Sequence, residues 1–182
     1  MKQVSLFCLA AVVAATLSAA PAPEAQKTTD MPSPDMAAVL LAAHQAEIDQ
    51  ANVAYEKLIN SAVKNYAQML IEEHQRALTN TTNITKTNKI VPHDAAQEAV
   101  AIRDKSKQLV TNFKTAQGNF DRNYMAAQVE EHQQLLDLLD NKMIPSSRGD
   151  LLTLMQTTRF MVQQHLDRAK FILSGLPLPP QP

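Results

Sequence analysis

The sequence predicts an all-α fold, an antiparallel bundle of four to five helices, and three observations lead there. Eight of the ten prolines lie before residue 35 or after residue 176, and the three glycines are Gly118, Gly149 and Gly175. Both residue types are costly inside a helix, so helices run in the long stretches between them. Within those stretches apolar residues recur at steps of three and four. No segment shows the two-residue alternation of a half-buried strand.

The elements follow in order. A first helix is expected from about Met36 to Ile59, with Asp35 as its cap and Leu40, His44, Glu47, Ala51, Ala54 and Leu58 on one face. Asn60-Ser61 offers a break and a new cap. The second helix continues from about Ala62 with Val63, Ala67, Leu70, His74 and Leu78 inward. Its end blurs between Thr79 and Asn88, where Thr and Asn are weak helix formers. Pro92 is expected to open the third helix, since proline suits a first turn. That helix presents Ala99, Ile102, Ser106, Leu109 and Phe113, a face without histidine or carboxylate. Asn119 can cap the fourth, which carries Phe120, Tyr124, Gln128, His132, Leu135 and Leu139 inward and stops before Pro145. Ser147-Arg148-Gly149-Asp150 resembles a capping box for the last helix. Its inward set is Leu151, Met155, Thr158, Val162, His165, Ala169 and Ile172.

The ends have a different character. Met1-Lys2-Gln3 gives a basic start, Val4 to Leu17 an apolar run and Ser18-Ala19-Ala20 a small-residue exit, the layout of a secretory signal peptide over 1–22. The run is shorter than the roughly 20 residues a membrane span needs. A retained anchor is the alternative reading. The expected organisation is a signal peptide over 1–22, a proline-rich linker over 23–35, a bundle over 36–173 and a proline-rich tail over 174–182. The protein is therefore expected in the periplasm or outside the cell, with no span after the leader. Cys8, the only cysteine, leaves with the leader, so no disulfide and no thiolate remain. Loss of Lys2 moves the net charge from -1 to -2, which argues against a nucleic-acid partner. A protein partner stays open.

Function has to be read from polar residues on apolar faces. His74, His132 and His165 each sit within a helical stripe, the first two inside Glu-Glu-His-Gln strings. Burying such a ring without a partner costs about 1–3 kcal/mol, so something must satisfy it. At about 1.5 Å per residue, Glu47 lies roughly 16 Å along its helix and His74 and His132 roughly 18 Å along theirs. An alternating bundle brings those three to one level, with His165 about 8 Å away. Imidazole with carboxylate suits iron, zinc, manganese or copper, which makes Glu47, His74, His132 and His165 candidate metal ligands. His44 shares a face with Glu47 and is a secondary candidate, while Asp121 and Tyr124 are outer or second-layer candidates. The Glu-x-x-His signature of di-iron bundles is absent, since Ile71 and Val129 hold the glutamate positions. Glu72, Glu73, Glu130 and Glu131 are rotated by about 100–200° from the histidines and are expected to face solvent. His93, after Pro92, is expected to be exposed and without a role.

The competing reading is a buried polar network that fixes helix register and binds nothing. It goes with a non-enzymatic envelope protein acting in stress protection or protein interaction. No nucleophile elbow, phosphate loop or cysteine marks an active site, so no catalytic residue is named and enzymatic activity is left open.

An ordered set of motifs adds a resemblance. Ala46-Glu47-Ile48 and Tyr66-Ala67-Gln68-Met69-Leu70, leading to His74, are followed by Asn119-Phe120-Asp121-Arg122-Asn123-Tyr124, by His132 eight residues on, and by His165-Leu166. Over residues 37–173 the chain resembles the exported bacterial family catalogued as domain of unknown function 4142. The resemblance implies a ferritin-like helical bundle and export, and carries no established activity. The chain departs from that pattern around 79–95, at Glu73 in place of aspartate, and at Phe160 in place of proline.

Overall fold

The computed structural model describes residues 30–178; the segment expected to be a signal peptide and most of the expected proline-rich linker lie outside the described residues, as do residues 179–182. Helix α1 is Ser33–Tyr55, α2 Ser61–Thr87, α3 Gln97–Thr115, α4 Phe120–Leu138 and α5 Gly149–Gly175. No strand occurs among the described residues. The fold is an all-α helical bundle.

Several ends differ from expectation, each for a local reason. Pro34 in the first turn starts α1 at Ser33, and Asp35 lies inside that turn instead of capping it. Its carboxylate is 2.8 Å from Nδ1 of His93, so His93 is exposed yet tied to α1. At the other end α1 stops at Tyr55, short of Ile59. Lys57, just beyond it, donates to the carbonyls of Phe113, Lys114 and Ala116 and so closes the C-terminus of α3. Asn60 caps α2 as its position suggests, accepting from the amides of Ala62 and Val63 at 2.9 and 3.3 Å.

Helix α2 runs straight through the Thr/Asn-rich stretch. Thr79 and Thr82 return their hydroxyls to carbonyls four residues back, while Thr81 and Thr85 are buried against the rest of the bundle. Tertiary burial thus overrides weak propensity there. The helix closes with Lys89 at φ 54°, Ile90 N donating to Thr85 O at 2.8 Å and Lys89 N to Lys86 O at 3.1 Å. That is a Schellman end without its usual glycine.

Pro92 does not open α3. It lies in the preceding loop, where His93 N donates to the carbonyl of Pro34, and α3 begins at Gln97. Helix α4 does not stop before Pro145 either. It passes through a π-helical turn, Leu139–Met143, into a last turn, Ile144–Ser146. The wider turn starts a new register, so Pro145 sits at a first-turn position where its missing N–H costs nothing. No capping box precedes α5. Ser147 Oγ donates back to the Ile144 carbonyl, and the chain enters the helix through Gly149 at φ 56°, a conformation that favours glycine.

Helix α1 packs against α2 and α3, α4 packs against α5, and α2 joins the two halves through α5. The apolar interior divides in two. One cluster gathers Met36, Leu40, Leu139, Met143, Met155 and Val162; the other gathers Tyr66, Leu70, Phe113, Phe120, Tyr124 and Met125. Along four helices the switch between clusters falls at or beside polar positions: His44 to Gln50 on α1, His74 on α2, Gln128 to His132 on α4, and just past His165 on α5, where Leu166 is in the first cluster and Ala169 in the second. A polar layer therefore lies across the bundle between two apolar ends. No helix among the described residues is long and apolar enough to cross a membrane.

Candidate metal centre

Four helices deliver the layer. His44, Glu47 and Gln50 come from α1, His74 from α2, Gln128 and His132 from α4, and His165 from α5, all buried. One ring nitrogen from each of His74, His132 and His165 lies within 4.8 Å of the others. His165 thus joins the level of the other two, and the roughly 8 Å offset inferred from helix lengths is gone. The early start of α1 and the extra turns after Leu138 change the loop geometry on which that offset rested.

The hydrogen bonds fix which nitrogens are free. His132 Nδ1 is 2.9 Å from the carbonyl of Gln128, which can only accept, so the proton sits on Nδ1 and Nε2 carries the lone pair. His165 Nε2 is 2.7 Å from the carboxylate of Glu73, so its proton sits on Nε2 and Nδ1 carries the lone pair. Those two lone-pair nitrogens face each other at 3.3 Å. An extra proton between them would make one ring an imidazolium. Burial opposes that: it lowers His132 to about 4 against the raising influence of the Gln128 carbonyl, and, helped by the His132 ring and opposed by Glu73, lowers His165 to about 4. Both rings are neutral at pH 7, and a bare lone-pair contact is repulsive.

His44 and His74 form a second pair, Nδ1 to Nδ1 at 3.1 Å, leaving Nε2 of each ring buried and without a partner. Burial, then the charges of His44, His165 and His132, hold His74 well below its ordinary value. Burial likewise lowers His44 to about 4. All four imidazoles are in the neutral form that metals require.

Glu47 is placed differently from the expected ligand position. Its Oε1 is 3.7 Å from His132 Nδ1, the protonated edge of that ring, and so on the far side from Nε2. Its neighbours are Gln128, Tyr124 and Glu131 instead. Burial raises Glu47 to about 7 against the opposing influence of Gln128 and Lys105. Burial and the charge of Glu47 raise Glu131 to about 8, opposed by the Gln50 amide that donates to it at 3.1 Å. Tyr124 is fully buried with its hydroxyl unpartnered, and burial, then the charges of Glu47 and Glu131, push its pKa well above the ordinary phenol value and keep it un-ionised. Asp121 is not part of the layer. It accepts from the amides of Ile59 and Asn60 at 3.1 and 2.9 Å and holds the turn before α2.

Two carboxylates expected in solvent take part. Glu73 and Glu131 start about 100° away from the inward face, yet their flexible stems reach back to it. Glu73 meets His165, and Glu131 meets Gln50. Tyr66, whose hydroxyl donates to the carbonyl of His165 at 3.2 Å, lies outside the inward set read for α2, and only that bond distinguishes it from core filler. Glu72 and Glu130 do face solvent.

Fold and site together define an all-α bundle with a buried cluster of three histidines placed where they could hold a metal ion. The chain belongs to the family described as domain of unknown function (DUF4142), whose family model matches residues 18–172. No curated protein and no solved structure matches it.

Proposed function

We propose that this chain is an exported, ferritin-like bundle protein that holds one transition-metal ion on His74, His132 and His165. The observation that carries the reading is the 3.3 Å approach of two lone-pair nitrogens, His132 Nε2 and His165 Nδ1, each fixed in that form by an acceptor on its other edge. Metal–nitrogen bonds of about 2.0–2.1 Å at tetrahedral angles separate ligand nitrogens by about 3.3 Å. His74 supplies the third donor through Nε2, the nitrogen without a partner, while His44 takes the hydrogen bond from its Nδ1–H. Glu73, Gln128 and His44 then do what outer partners of metal-bound histidines do, fixing tautomer and ring orientation. An all-imidazole set suits zinc, copper or iron better than manganese.

Native metal analysis of the full chain, expressed without a His-tag, tests this. About one ion per chain, lost on His132→Ala, is the expected result. Traces of metal, with no melting shift on adding Zn, Fe, Mn or Cu, would overturn it. Export is tested separately by sequencing the N-terminus of the protein recovered from the periplasm or medium; an intact Met1 in the cytoplasm refutes it.

A second reading is supported by the continuous chain from the Gln128 carbonyl through His132 and His165 to Glu73. One added proton shared along it makes a structural network in a non-enzymatic envelope protein. Under that reading His74→Ala and His132→Ala lower stability and leave metal content at background.

A further inference from the structure

Beside the histidines, the same layer holds a set of oxygen atoms that the metal reading does not use. Glu47 and Gln50 are three residues apart on α1; Tyr124, Gln128 and Glu131 occupy one stripe of α4. Glu47 Oε2, Gln50 Oε1, Tyr124 Oη, Gln128 Oε1 and Glu131 Oε2 are all buried without a hydrogen-bond partner. Tyr124 and Gln128 are completely buried. The five residues are neighbours: Gln50 bonds Glu131, and Glu47 acts electrostatically on both Glu131 and Tyr124. A cleft of about 200 Å³ between α1, α3 and α4 reaches from the surface to Glu47 and Glu131, walled by Ala43, Ala46 and Ile102. Lys105, held by Glu130 and Gln134 at 2.8 Å each, lines the same cleft.

We infer that Glu47 and Glu131, with the oxygens of Gln50, Gln128 and Tyr124, form a second cation site, distinct from the histidines, for a hard divalent ion such as Mn²⁺. Ionised together in a poorly hydrated place, the two carboxyl groups would need compensating positive charge, and a divalent ion that displaces their protons supplies it for both at once. Carboxylate and amide oxygens with one phenol are the donors that Mn²⁺, Mg²⁺ and Ca²⁺ select, whereas the imidazole cluster selects softer metals. The two donor sets are separated by the ring of His132, whose Nδ1 edge faces Glu47 and whose Nε2 edge faces His165. The cleft gives the ion a path along the edge of the first apolar cluster, whose Ala43 and Leu135 line it. The cation class rests on this donor set alone, and the separation from the histidines rests on the reading above.

The test is Mn²⁺ binding to the full chain already loaded with one equivalent of Zn²⁺, followed by loss of the free-ion EPR signal. One Mn²⁺ per chain is expected, with Zn²⁺ retained. Glu131→Gln and Glu47→Gln, which keep shape and remove charge, should each weaken Mn²⁺ binding by tenfold or more and leave Zn²⁺ content unchanged. His132→Ala should remove Zn²⁺ and keep Mn²⁺. No bound Mn²⁺ in the wild-type chain at free concentrations up to about 1 mM overturns the inference. So does Mn²⁺ that displaces Zn²⁺, or that persists unchanged in both glutamine variants. Mn²⁺ bound in a chain that refuses Zn²⁺ sinks the histidine reading and leaves the oxygen site standing.

Discussion

Protonation of the metal-free chain should produce a stability optimum close to pH 6.5, and the two limbs come from opposite halves of the polar layer. His44, His132 and His165 are lowered by burial from 6.5 to about 4, and burial also holds His74 well below 6.5. Between those values the unfolded chain binds protons that the folded chain refuses, so stability falls as pH falls. Glu47 and Glu131 are raised by burial from 4.5 to about 7 and about 8. Between 4.5 and those values the folded chain holds protons that the unfolded chain has lost, so stability falls as pH rises. Near pH 5.5 four rings outnumber two carboxyls, and the unfolded state binds about two protons more. That corresponds to a slope of roughly 3 kcal/mol per pH unit, rising with pH. Above pH 6.5 the rings are finished and the carboxyls alone set a downward slope until about pH 8. Urea unfolding of EDTA-treated protein across pH 5–8 checks it. Stability that is flat from pH 5 to 6.5, or that climbs steadily from 6 to 8, would refute the burial of these groups in their neutral forms.

Three further outcomes are expected. Glu73→Gln replaces the carboxylate that orients His165 with a weaker acceptor; metal affinity should drop by about 10–100-fold with the fold kept, checked by competition against a chromophoric chelator. Asp121→Ala removes the acceptor for the Ile59 and Asn60 amides and should cost about 1–3 kcal/mol in chemical denaturation with metal content unchanged, since Asp121 lies outside the layer. Leu40→Ala, in a fully buried position of the first apolar cluster, should cost about 2–5 kcal/mol in the same assay, and a loss below about 1 kcal/mol would speak against that core.

How much of this was legible in the sequence depends on how local each cause is. The all-α class, the break at Asn60 and the inward faces carrying His44, His74, Tyr124, His132 and His165 follow from spacing and cap chemistry within one turn. The continuation of α2 through Thr79–Thr87 does not, because it depends on Thr81 and Thr85 finding a buried surface on other helices. The passage of α4 beyond Leu138 depends on a π turn that no residue pattern announces. Helix-wheel reasoning placed Glu73 and Glu131 outside because it tracks Cβ directions; the two carboxylates lie further along flexible stems. Asp121 shows the converse error. It shares a stripe with His132, yet at three turns' distance it serves the chain end of another helix.

The arrangement of the core is the strongest physical support for the proposed metal. Among the described residues nine buried side-chain atoms have no hydrogen-bond partner, and all but Thr81 Oγ1 belong to this one layer. At about 1–3 kcal/mol each, leaving them dry would cost at least ~8 kcal/mol. That is comparable with the whole stability of a domain, about 5–15 kcal/mol. A scattering of such atoms could be met one by one with water. Water does not serve at the neighbouring His132–His165 contact, a pair outside those nine atoms, where two lone pairs at 3.3 Å leave no room for a molecule between them. A metal ion fits there, because bonds of about 2.0–2.1 Å to both nitrogens need no wider separation. The oxygen side of the layer is roomier and opens to the cleft, which is why the softer and the harder donors are read as two sites.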